Sequence, residues 1–133
     1  VKINRAIIDI IFNQGRNESP NEACGYLLGK DGVVVTALPL TNIDHSPEHF
    51  SLDPKEQFSA VRRARAEGLE IIAVYHTHPA SPARPSVEDI KLAYDPNIVY
   101  VIASLAAETK AVKAFRIIKG QVAEEKLIIK EQV

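Results

Sequence analysis

One segment constrains this chain more than any other: a buried-strand pattern that ends abruptly in two histidines and a proline. Leu69 to Tyr75 is a β-branched run, and it halts at His76-Thr77-His78-Pro79. Pro79 cannot donate to a ladder, and Pro82 and Pro85 keep the next segment extended and irregular. The two-residue period of a strand points both imidazoles to one face, with Cα atoms roughly 6 to 7 Å apart at about 3.3 Å per residue. Two rings at that spacing can converge on one metal ion at about 2.0–2.1 Å per nitrogen. An H-x-H taken alone is equally the polar end of an exposed strand.

The elements around this strand follow from periodicity and turn chemistry. Asn4 to Asn13 gives one broad apolar helical face that stops before Gly15. Tyr26-Leu27-Leu28 and Val33-Val34-Val35 flank Asp31-Gly32, which predicts a hairpin because both turn residues tolerate positive φ. Asn42 to Phe50 has no periodicity and reads as an ordered loop. Asp53-Pro54-Lys55-Glu56 marks the start of a second helix that ends at Gly68. Ser86 to Tyr94 reads as a short helix. Ile98 to Leu105, Val112 to Ile118 and Val122 to Ile129 read as three strands, with turns around Glu108-Thr109 and Gly120. The order α-β-β-α-β-α-β-β-β predicts an α/β fold, a mixed sheet with flanking helices and not a doubly wound parallel one.

Composition narrows the classes of function. At 133 residues, with 46% hydrophobic and 25% charged side chains, the chain has the length and make-up of one globular domain, residues 1–133. A net charge of −1 supplies no field that draws it to nucleic acid or an anionic membrane. The longest nearly apolar run, Ile98 to Ala107, is far short of the roughly 20 residues needed to cross a bilayer. Arg5 and Asp9 interrupt the N-terminal apolar stretch, so it does not read as a signal peptide and a cytoplasmic location is expected. Cys24 is the single cysteine, which forbids an internal disulfide and a Cys-rich zinc site.

Eleven residues after His78 stands Asp89, one turn into a helix, where its carboxylate can close the histidine pair as a third ligand. Ser86-x-x-Asp89 is also a capping box, and a carboxylate engaged with its own helix is not expected to serve a metal as well. Two histidines, one carboxylate and an open fourth position would make a catalytic zinc site. Water there needs a base. Glu22 opens the first apolar strand and is one candidate, but from spacing alone it reads first as a plain surface carboxylate. Cys24 reads as a small buried residue, since its neighbours bring no charge to lower its pKa. His45 and His49 are separated by Pro47, which breaks the helix that would align them, so they read as loop residues near a substrate groove. Arg62, Arg63 and Arg65 fan over more than one helix face and read as solvated.

Taken together, Glu22, His76-x-His78-Pro79 and Ser86-x-x-Asp89, with seven residues between His78 and Ser86, resemble the full signature of the JAMM (MPN+) zinc metallopeptidases. The likeness extends to Glu22-Ala-Cys-Gly-Tyr-Leu-Leu-Gly29, Asn42-x-x-x-Ser46-Pro47, Phe50-Ser-Leu-Asp-Pro54 and Ala114-Phe115-Arg116-Ile117, nearly the whole chain. In detail the chain looks most like the small prokaryotic branch that includes the Mec-type peptidases.

The resemblance implies an α-β-α architecture like that of cytidine deaminases, with His76, His78 and Asp89 as zinc ligands. It makes Glu22 the general base and Ser86 the donor to the developing oxyanion. It also implies a ubiquitin-like sulfur-carrier protein as substrate, cut after its C-terminal Gly-Gly. The tail is expected to lie extended beside a sheet edge, in a passage that admits only glycines before the scissile bond. Two other readings stay open: a metal-free MPN-type interaction module, and a DNA-repair-associated relative with a similar H-x-H-P. The intact ligand and base set argues against the first, the net charge against the second. Oligomeric state is not readable.

Overall fold

The computed structural model describes residues 1–106 and 111–131; the expected turn at Glu108-Thr109 lies outside them. Eleven elements follow in order: β1 (Lys2–Asn4), α1 (Arg5–Glu18), β2 (Cys24–Lys30), β3 (Val33–Leu40), α2 (Pro54–Ala66), β4 (Glu70–His78), α3 (Val87–Lys91), β5 (Val99–Ser104), β6 (Ala111–Ile118), β7 (Gln121–Glu125) and β8 (Ile128–Lys130). The expected α/β class is found. Among the described residues no helix is long and apolar enough to cross a membrane.

The strands form one mixed sheet in the order β7-β6-β5-β4-β2-β3-β1-β8. β4 lies antiparallel to β2 and parallel to β5. β7 and β8 stand at opposite ends of this order, yet only Lys126 and Leu127 separate them. Laid flat, eight strands would span about 34 Å at about 4.8 Å per strand. The three Cα steps from Glu125 to Ile128 cover at most about 11 Å. The sheet therefore curls until its ends approach each other.

Alternation along β4 sorts the core into layers. Ala73 and Tyr75 face α1 and pack with Ile7, Ile8, Ile11 and Phe12. Val74 faces the other way, against Ala60 and Ala64 of α2. Ile90 of α3 packs on the same side with Ala83, Ile102, Phe115 and Ile117. The expected α-β-α layering follows, and the even-numbered face of β4 that carries His76 and His78 opens between α2 and α3.

Several boundaries differ from the pattern-based expectation. β1 was not expected, because three residues show no period. The single strand expected over Val122 to Ile129 is two, β7 beside β6 and β8 beside β1. The third helix is shorter than Ser86 to Tyr94, ending at Lys91. The first runs past Gly15 to Glu18. Gly15 is there for closeness: a Cβ would stand 2.8 Å from Thr77 Cγ2 and 3.1 Å from Leu105 Cδ1. The hairpin forms as expected, with Asp31 and Gly32 at φ 53° and 76°. Asp53 caps α2 through the Lys55 amide, but Glu56 does not reach back to the cap. Its carboxylate instead takes the Thr41 amide at 2.7 Å and the Thr41 hydroxyl at 2.9 Å, tying α2 to the end of β3.

Gly25 pairs with Tyr75 across β2 and β4, and the tyrosine ring lies over it. A Cβ at Gly25 would come 2.4 Å from the ring and its oxygen. Tyr75 is fully buried and its hydroxyl donates to Gln14, so it has no room to withdraw. Gly25→Ala is expected to cost about 1–3 kcal/mol through overpacking. A urea titration checks this as a lowered midpoint at unchanged slope.

Candidate metal centre

β4 delivers His76 and His78 to one face, both buried at 2% and 3% exposure. The β2–β4 register pairs Cys24 with His76 and continues in two bonds, Thr77 N–H to the Ala23 carbonyl at 2.9 Å and Ala23 N–H to Thr77 Oγ1 at 2.8 Å. One residue further this register brings Glu22 alongside His78, on the face that alternation assigns to the histidines. Asp89 arrives from the first turn of α3. His76 Nε2, His78 Nε2 and Asp89 Oδ2 form a triangle with all three sides 3.1 Å. Among the described residues this is the one group of three His, Cys, Asp or Glu donors close enough to share an ion.

The protons at this triangle do not suffice to hold it together. His78 Nδ1 stands 2.9 Å from the Pro82 carbonyl, an acceptor only, which places a proton on Nδ1. A neutral His78 then aims its Nε2 lone pair at the lone pairs of Asp89 Oδ2. A cation at the centre would satisfy all three atoms at once. Burial pushes His78 down, but its bonds to Asp89 and Pro82 outweigh this and raise it. Burial lowers His76, against the opposing pull of Asp89. Burial pushes Asp89 up, and the bonds to His76 and His78 override it, leaving the carboxyl well below the usual range.

Asp89 caps its helix and faces the histidine pair together, which the capping-box pattern alone did not anticipate. Ser86 N–H donates to Asp89 Oδ2 at 2.9 Å, and Asp89 N–H donates to Ser86 Oγ at 3.0 Å, a complete capping box. The same Oδ2 faces both histidines. A carboxylate oxygen has two lone pairs, and the box uses one of them. The cap also holds the carboxylate in place for the histidines.

Glu22 is no surface carboxylate: it is 3% exposed, and its Oε1 finds no hydrogen-bond partner within the protein. Burial pushes its carboxyl up to about 8; His78 opposes the rise, and Asp89 and Glu88 add to it. Cys24 is buried, and burial pushes its thiol up to about 12, the state of an inert core thiol. His45 and His49 stand apart from the triangle. His49 Nδ1 pairs with Asp44 at 3.0 Å and His49 lines the cleft, while His45 takes a turn position at φ 47°. Arg63 bonds Glu67 at 2.7 Å on the solvated side of α2.

Beside the triangle opens a cleft of about 340 Å³, walled by Phe50, Leu52, Gln57, Leu92, Tyr94 and Tyr100. It continues into a pocket of about 320 Å³ over Tyr26, Val74 and Ile98. The expected sheet edge is not what adjoins it. β4 is flanked by β2 and β5, and the loop residues His49–Leu52 form one wall of the cleft. Two residues here escape pattern reading. Phe50 stacks on His76 with ring centroids 4.7 Å apart. Asn42, buried at 3%, organises the loop before it. A lone aromatic and a lone Asn in an aperiodic loop carry no spacing signal; only their place in the wider likeness pointed to them.

Residues 4–118 match the family described as prokaryotic homologs of the JAB domain. The CysO-cysteine peptidase of Mycobacterium tuberculosis is 34% identical over 134 residues, covering 98% of this chain and 91% of that protein. A solution structure of a protein from Desulfitobacterium hafniense is 43% identical with a TM-score of 0.90, over 99% of this chain and 94% of that one. A JAB1/MPN domain protein from Archaeoglobus fulgidus shares the fold at 22% identity and a TM-score of 0.67, over 97% and 98% of the two chains. On sequence and architecture, the chain belongs to the prokaryotic branch of the JAB, or JAMM/MPN, domain family.

Proposed function

We propose that this protein is a zinc-dependent peptidase that cuts after the C-terminal Gly-Gly of a ubiquitin-like sulfur-carrier protein, releasing cysteine, a short extension or a conjugated amine. The observation that carries the reading is the donor triangle. A regular tetrahedron with 3.1 Å edges has its centre about 1.9 Å from each corner, close to the 2.0–2.1 Å of zinc bonds to nitrogen and oxygen. His76, His78 and Asp89 would hold the ion. The likeness to a peptidase named for a carrier–cysteine substrate supports the substrate class.

Zinc, when bound, supplies a Lewis acid that polarises the scissile carbonyl and makes water acidic enough to attack near neutrality. Glu22 takes the proton of the attacking water and returns it to the leaving amine. Its burial raises its basicity toward that task. Ser86 Oγ accepts the Asp89 amide through a lone pair, which leaves its hydroxyl proton free to donate to the developing oxyanion. Phe50 packs the cleft side of His76 and limits the wobble of that ring.

Metal analysis of protein purified without chelator is expected to find one zinc per chain. Loading should weaken as pH falls, because protons compete for the two imidazoles. A Gly-Gly-extended sulfur carrier is expected to be cleaved readily and ubiquitin dimers poorly, followed by mass spectrometry of the released products. Faster turnover of ubiquitin dimers would overturn the substrate assignment; absence of zinc would overturn the mechanism.

A further inference from the structure

We infer that Asn42 is a positioning residue that sets the place of Glu22, an inference resting on the reading of Glu22 as the proton acceptor. Glu22 precedes β2, and both of its backbone polar groups are held by the 42–52 loop. Its N–H donates to the Ser46 carbonyl at 2.8 Å, and its carbonyl accepts from Asn42 Nδ2 at 3.0 Å. Asn42 uses its whole amide. Nδ2 also donates to the His49 carbonyl at 3.1 Å, while Oδ1 accepts the Asp44 amide at 3.0 Å and the Ser51 amide at 3.3 Å. A bridge between Asn42 and Leu52 closes the base of the loop. One buried side chain thus ties both arms of the loop to the main chain of Glu22. The same loop carries Phe50, stacked on His76.

The arrangement matters because Glu22 Oε1 has no protein partner of its own. A glutamate with an unheld carboxylate oxygen is aimed by its backbone and by packing. Releasing the carbonyl and loosening the Ser46 bond lets the carboxylate drift, and a displacement of about 1 Å can cost about 10²-fold in rate. A residue that merely completed the fold would affect every step alike.

The test uses the zinc-loaded full chain and a Gly-Gly-extended sulfur carrier. Asn42→Asp keeps acceptors for the Asp44 and Ser51 amides and removes both donors; Asn42→Ala removes all four bonds. Both variants are expected to lose about 10- to 100-fold in kcat, with KM and bound zinc changed by less than about twofold. In a Glu22→Gln background, adding Asn42→Ala should cost less than about twofold, because the two side chains act through one group. Amide exchange gives a readout independent of turnover: the Glu22 amide should exchange at least about tenfold faster, while the Thr77 amide in the β2–β4 ladder keeps its protection. Unchanged kcat, equal losses in both backgrounds, an unchanged Glu22 amide or unfolding of both variants would each overturn the inference. Absent cleavage by the parent protein, with the Glu22 amide responding as expected, would remove the peptidase reading and still support the clamp.

Discussion

Glu22→Gln is expected to leave one zinc per chain in place and to lower turnover by about 10²- to 10⁴-fold, the usual contribution of a positioned acid–base group. Glutamine keeps the shape and cannot take a proton from water. A surface carboxylate would behave otherwise, since exposed substitutions change stability by no more than about 0.5 kcal/mol and leave rates alone. Steady-state kinetics with zinc analysis on the same sample decides between them. A variant that keeps most of the parental rate with zinc bound removes Glu22 from the mechanism.

The same substitution carries a stability signature of known sign. In metal-free protein, burial holds the folded-state pKa of Glu22 at about 8, against His78, and above its ordinary 4.5. Its contribution to stability is therefore full below pH 4.5 and is lost as pH rises through about 8. Glu22→Gln should match the parent at low pH and melt higher than the parent above pH 8. Equal melting temperatures across this range would mean that Glu22 is not buried as a charge.

The second large effect is expected at Asp89. Asp89→Ala deletes one corner of the triangle, and zinc and activity should both fall below detection. The loss is not purely that of a ligand, because the variant also loses the Asp89 half of the α3 capping box. Asp89→Asn separates the two roles. Its amide oxygen can still accept the Ser86 N–H and keep the cap, but it offers the ion no charge. Asn is thus expected to melt close to the parent's metal-free form while holding zinc poorly. Near-stoichiometric zinc in Asp89→Ala would reduce Asp89 to a capping residue.

Some of this was legible without a structure. The hairpin at Asp31-Gly32 and the cap at Asp53 are local events, decided by one or two residues whose backbone preferences are strong. The helix boundaries depart from the local pattern where a tertiary contact overrides a local rule. Glycine is disfavoured in a helix interior, yet α1 continues through Gly15, whose missing side chain admits Thr77 and Leu105 at close range. β1 and β8 are three residues each and exist only through pairing with one another and, for β1, with β3. Asn42 looked like any loop Asn, since four hydrogen bonds to residues far and near leave no periodic trace.

What the sequence determined by itself is the set of chemical groups and the local geometry between near neighbours. The two-residue period of a strand puts His76 and His78 on one face, and the Ser86-x-x-Asp89 spacing puts a carboxylate at the start of a helix. The tertiary structure alone decided that these groups meet. Glu22 lies 54 residues before His76 and reaches His78 only through the β2–β4 register. Asp89 serves cap and triangle together because α3 packs against the same sheet face. Local spacing is set by backbone dihedrals over a few residues, whereas convergence is set by strand pairing and burial across the curled sheet. A linear pattern encodes the first directly and the second only through the fold.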